Sequence, residues 1–220
     1  MSAPVLVLAD HAAGQARLTP AAGQLLTLAR SLTSGGVDAL VLTDTIDTEA
    51  LGALGADRVL SAPLGGAARA SVAAADAVVA AIAAGSYGLV LLPSDYRGRE
   101  IAGAVAATTD AGVVSGASSV SYDGGVLEIA KTALAGSWSM RIVVEGQTPV
   151  VGVASGAVDE ARAASPTTPA VEALDVALSP RAQAVAVLAS TPEDTDGVAL
   201  ADASTVVVGG RGVDGDFTMV

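Results

Sequence analysis

Cysteine is missing from this 220-residue chain, histidine and tryptophan occur once each, and aromatic residues make up 2% of it. Without thiols there are no disulfides, no thiolate nucleophile and no Cys-ligated zinc or iron–sulfur cluster. A single histidine leaves any metal site to carboxylates, and no acidic cluster has ligand spacing. Basic side chains are scarce too, 11 against 23 acids, and all but one of them are arginine. The formal net charge of −12 repels a phosphate backbone at long range, which argues against nucleic acid as a partner. The start "MSAPVLVLADHAAG" carries no basic leader and no long apolar run. It predicts a chain without a signal peptide, in the cytoplasm. The uncharged stretch from Ala77 to Ser94 is broken by Gly85, Ser86, Tyr87 and Gly88 and ended by Pro93. It reads as a helix end, a turn and a buried strand rather than a membrane span.

Small apolar residues are plentiful: the chain is 51% hydrophobic and has 25 glycines. Such a composition suits helices lying close on a parallel sheet. "PVLVLAD" (4–10) is a short apolar run ending in a polar loop, the pattern of a buried parallel strand. Thr19–Pro20 starts a helix in which Leu25, Leu26, Ala29 and Leu32 recur at helical spacing, and Gly35–Gly36 stops it. "DALVLT" (38–43), "RVLSA" (58–62) and "GLVLLP" (88–93) follow as strands, with a short helix in "TEALGALGAD" and a longer one from about Ala68 to Ala84. A further helix is expected within 94–112. This alternation predicts an α/β fold with a Rossmann-like, doubly wound, mostly parallel sheet. Beyond residue 112 the texture turns to alternation around an Asp123–Gly124 turn, which predicts an added β-hairpin and edge strands. "GAVDEARAASPTTPA" (156–170) is a polar connector, and "VEALDVAL" and "QAVAVLAS" read as two more strands. The composition shift near 190–200 suggests one domain over 1–190. Residues 191–220 then read as linker and opening strand of another, with Thr205–Val208 a buried strand before a glycine-rich turn.

Three stretches together resemble the alpha subunit of electron transfer flavoprotein. They are "ADH" (9–11) with Thr19 opening the first helix, "LLPSDYRGREIAGAVAATTDAGVVSGASSV" (91–120), and "LDVALSPRAQAVAVLAS" running on to "ADASTVVVGGRGV". The resemblance implies an electron-carrier subunit rather than an enzyme, paired with a beta subunit around one FAD. It would pass electrons from flavin dehydrogenases, such as acyl-CoA dehydrogenases of fatty acid β-oxidation, to a quinone oxidoreductase. It also implies that the chain stops at the first turn of the flavin domain, so that this portion serves mainly as scaffold and beta-subunit docking domain and does not itself retain FAD. By the same resemblance Arg211, between Gly210 and Gly212, contacts the cofactor, and a guanidinium among glycines suits a pyrophosphate.

The remaining candidates have plainer readings. "YRGRE" (96–100) sets two arginines beside a helix start, where Glu100 would satisfy the dipole of the first turn. Asp10, Asp95 and Asp110 fall at element ends, as helix caps do. His11 reads as a hydrogen-bonded surface group, and Trp138 as a packing or interface anchor. The rival functions are a stand-alone nucleotide-binding module of the universal-stress type, for which "GGAARA" (65–70) is the nearest phosphate loop, and a small enzyme using Asp95 and Arg97. No catalytic constellation and no metal site is expected.

Overall fold

The protein's structure, a computed structural model, describes residues 1–11, 17–144, 148–189, 200, 203 and 205–213. The chain divides into two compact units, Met1–Ser190 and Thr191–Val220. All strands of the sheet lie in the first unit.

The sheet begins with β1 (Val5–Leu8), β2 (Val37–Val41), β3 (Arg58–Ser61) and β4 (Leu89–Pro93), all parallel. It continues through β5 (Val113–Asp123), β6 (Val126–Ala133), β7 (Trp138–Val143), β8 (Val150–Val153) and β9 (Ala170–Ala173). The spatial order is β7-β6-β5-β8-β4-β1-β2-β3-β9. Only the β5–β6 and β6–β7 pairings are antiparallel, so a β-meander is added to one edge of a doubly wound parallel sheet. The α/β class and the added hairpin are as the sequence predicts.

Both faces of β1 are buried, which is why it reads as an unbroken apolar run. Val5, Val7 and Ala9 join the cluster beneath α1 (Pro20–Leu32) and α2 (Thr48–Ala53). Leu6 and Leu8 join the cluster beneath α3 (Ser71–Ala84) and α4 (Tyr96–Thr109). The start of α1 is set by local chemistry: the Thr19 hydroxyl accepts from the Ala22 amide at 3.3 Å, and Pro20 occupies the first helical position, where it costs no hydrogen bond. Because aromatic residues are few, the layers close through Ala73, Ala74, Ala77 and Ala81 of α3, all fully buried.

The connector after β8 crosses the α1/α2 face as an extended strap. Ala161 donates to the Thr27 hydroxyl at 3.1 Å and accepts from Arg30 at 2.8 Å, and Ala163 donates to the Ala53 carbonyl at 2.8 Å. Gly52 permits the crossing, because a Cβ there would collide with the carbonyl oxygen of Thr167. The strap delivers β9 to the far edge beside β3. The chain then turns to the other face, where α5 (Pro180–Gln183) sets Ala182 against Ala70 and Ala73.

Two sequence expectations fail here. "QAVAVLAS" forms no strand among its described residues: Gln183 ends α5, and Val185, Val187 and Leu188 are exposed. Thr205–Val208 is no buried strand either, since residues 205–210 have no regular structure and Val206, Val207 and Val208 are exposed. β-propensity needs a neighbouring strand to take its N–H and C=O groups, and no described segment pairs with either run. The linker expected at 191–203 lies almost wholly outside the described residues.

Candidate functional site

The strand order reverses between β1 and β4, since the chain leaves β1 toward β2 and β3 and returns to build β4 on the other side. In open α/β sheets the crevice outside the carboxyl ends of two such strands is the usual place for a ligand. Here β1 delivers Asp10 and His11, and β4 delivers Ser94 and Asp95 at the start of α4.

Asp95 is the N-cap of α4, its carboxylate accepting from the Gly98 amide at 2.6 Å. The turn is so tight that a Cβ on residue 98 would strike the carbonyl oxygen of Pro93. This geometry brings Arg97 back across the mouth of the crevice. Its Nη1 donates to the Asp10 carboxylate and its Nη2 to the Ala68 carbonyl at 2.6 Å. Arg97 is 8% exposed, whereas the Asp10 side chain is 25% exposed. Nε of Arg97 is buried without a hydrogen-bond partner among the described residues. The two residues that sequence reasoning treated apart, an acid at an element end and an arginine beside a helix start, thus form one ion pair across the switch point. Ser94, beside them, accepts from the Gly116 amide at 2.9 Å and ties β4 to the bulge in β5. Glu100 lies beyond the first turn of α4 and accepts from the Ser71 hydroxyl at 2.6 Å, so it links α3 to α4 instead of facing the dipole. Asp110 does end α4, in the left-handed conformation with φ 56°.

His11 departs from its expected place on the surface. It is 3% exposed, bridged through its backbone to Leu18, and neither ring nitrogen has a partner among the described residues. Burial lowers its pKa below the ordinary 6.5, against the opposing pull of Asp10, the Ala9 backbone and Asp47.

A second polar cluster sits at the opposite, amino end of the strands. Asp38, buried in β2, accepts from Arg58 Nε at 3.1 Å and from the Tyr87 hydroxyl at 2.6 Å. Arg58 continues to Glu172 at 3.0 Å, which couples β9 to the rest of the sheet. Burial, then the bond to Asp38, hold the Tyr87 phenol well above its ordinary pKa. The bond to Asp38 raises Arg58 further. The signal in the sequence was an acid inside the apolar run "DALVLT". Its partners lie 20 and 49 residues away, which no local pattern reveals.

On the meander edge, Trp138 is 64% exposed, and Met140 and Val143 lie along the same strand, also exposed. β7 pairs only with β6, which leaves one side of its backbone open among the described residues. Among the described residues no group of three or more acids or histidines could hold a metal ion, and no helix is long and apolar enough to cross a membrane.

Residues 5–179 match the family model of the electron transfer flavoprotein domain. The chain belongs to the electron transfer flavoprotein domain family. No curated protein matches it. Proteins of this family carry electrons in association with flavin and are not substrate-converting enzymes in the usual sense. The electron transfer flavoprotein match takes in the entire sheet, the switch point and the meander, and stops before Arg211. Arg211 starts a single 3-10 turn, Arg211–Val213, and is exposed.

Proposed function

We propose that the first unit is the amino-terminal domain of an electron transfer flavoprotein alpha subunit, acting as scaffold and as the docking face for a beta subunit. The observation that carries this reading is the match of residues 5–179 to the electron transfer flavoprotein domain. The open edge of β7, with Trp138 and Met140 on one face and Val143 on the other, supports docking there, because exposed edges and apolar side chains favour association. A mean hydropathy of +0.57 points the same way. In the proposed assembly electrons pass from flavin dehydrogenases, acyl-CoA dehydrogenases among them, to a quinone oxidoreductase, in the cytoplasm.

The described residues fit FAD only in part. Among the described residues nothing lies within 4 Å of where a Cβ on Gly210 or Gly212 would stand, so they leave a pyrophosphate room to approach the exposed Arg211. Among the described residues no side chains wall in a ring there. When bound, the flavin supplies the redox chemistry. We read residues 191–220 as linker and first turn of the flavin domain, with Arg211 on the pyrophosphate. The chain by itself is then expected to take up negligible FAD on titration.

Co-purification with a beta subunit tests the docking role. Trp138→Ala and Val143→Lys are expected to weaken recovery of the partner while circular dichroism stays unchanged. Normal recovery with both variants would place the docking face elsewhere. The nucleotide-module alternative gains no support from the switch point, where Asp10 already neutralises Arg97.

A further inference from the structure

We infer that Asp10 is a built-in counter-ion that closes the switch-point crevice to phosphates, and that removing its charge turns Arg97 and the first turn of α4 into an oxyanion site. The inference is independent of the flavin reading.

The place is where a doubly wound sheet offers its ligand crevice, and α4 supplies the usual attraction. It is a helix of 14 residues with a partial positive charge at its amino end, where the Gly98 amide is already taken by the Asp95 carboxylate. Arg97 adds a full charge that is nine-tenths buried, and its Nε lacks a partner among the described residues. A buried guanidinium demands an anion, and among the described residues Asp10 is its one carboxylate partner. Asp10 is the more exposed of the two and arrives from the neighbouring strand end. Its carboxylate occupies the Arg97 Nη1 that an incoming phosphate would need. A phosphate entering the native crevice would therefore have to displace a tethered carboxylate, which competes at a high effective concentration. It would also do so against a chain of net charge −12. Without Asp10, the same burial that makes the pair necessary makes Arg97 a strong acceptor of a replacement anion.

The test uses the full chain, inorganic pyrophosphate as probe, and sodium chloride to hold ionic strength constant. Thermal midpoints are followed by circular dichroism. Wild type is expected to show no saturable rise with pyrophosphate. Asp10→Ala is expected to start lower and to rise saturably, its folding equilibrium shifting about elevenfold at ten times Kd. Adding Arg97→Leu to Asp10→Ala should abolish the rise. Should Asp10→Ala fail to fold, Asp10→Asn carries the test, since it keeps the volume and an acceptor and loses only the charge. No greater rise in the folded Asp10 variant than in wild type would overturn the inference. So would a saturable rise in wild type that Arg97→Leu removes, because the crevice would then be open already.

Discussion

Replacing Asp38 with alanine removes the acceptor at the centre of the amino-end cluster, and its cost can be worked from the groups left behind. Tyr87 is 4% exposed, and its hydroxyl loses the short bond it donates to a carboxylate, keeping only the Arg58 group that donates to it at 3.3 Å. A buried hydroxyl stranded in this way costs about 1–3 kcal/mol. Arg58 contributes less, because its side chain is 36% exposed and can turn to solvent while keeping Glu172. That half of the cluster is discounted to about 1 kcal/mol or below. The expected total for Asp38→Ala is about 3 kcal/mol. Tyr87→Phe, which removes the hydroxyl and leaves Asp38 its arginine, should cost about 1 kcal/mol. In the double variant the stranded hydroxyl no longer exists, so its cost should fall short of the sum by about 1–2 kcal/mol. Urea unfolding of all four proteins, monitored by far-ultraviolet circular dichroism, measures the cycle. A coupling indistinguishable from zero, or an Asp38→Ala cost below about 1 kcal/mol, would refute the view that Asp38 is held by Tyr87 in a buried site.

His11 should make stability fall with acid. Its pKa is lowered in the folded state, so the unfolded chain takes up a proton first as pH drops through 6.5, and stability present above that pH is lost below it. One proton bounds the slope at about 1.4 kcal/mol per pH unit, and His11→Gln should flatten the denaturation midpoint between pH 7 and the His11 titration; an unchanged slope would show that the histidine is not responsible. Two glycines of α4 should respond in opposite directions to alanine. Gly98→Ala forces a Cβ into the Pro93 carbonyl and should cost about 3 kcal/mol, whereas exposed Gly103, with nothing within 4 Å among the described residues, should stabilise by about 0.5–1 kcal/mol on Gly103→Ala. Thermal or urea midpoints check both, and a stabilised Gly98→Ala would contradict the tight turn that places Arg97.

Local pattern sufficed for several elements whose determinants lie within one turn or one pleat, though not for α5 with its Ser179–Pro180 cap. The Thr19–Pro20 cap announced α1, the unbroken run "VLVL" announced a strand buried on both faces, and Asp123–Gly124 announced the hairpin between β5 and β6. The α/β class follows from such signals, because hydrophobic period and capping chemistry are properties of neighbours in sequence. The strand order is not such a property. It alone decides that Asp10 and Arg97, 87 residues apart, meet across β1 and β4. A reader of the sequence sees there only an acid after one strand and an arginine after another. Tertiary structure likewise reversed the expectation for His11, which is buried and bridged through its backbone to Leu18. It also withheld strands from 184–189 and 205–208, whose apolar composition was right but which found no paired neighbour. Burial and hydrogen-bond pairing are decided by what lies across the gap, and for the switch point, the Asp38 cluster and the strap over Gly52 that partner is supplied only by the folded chain.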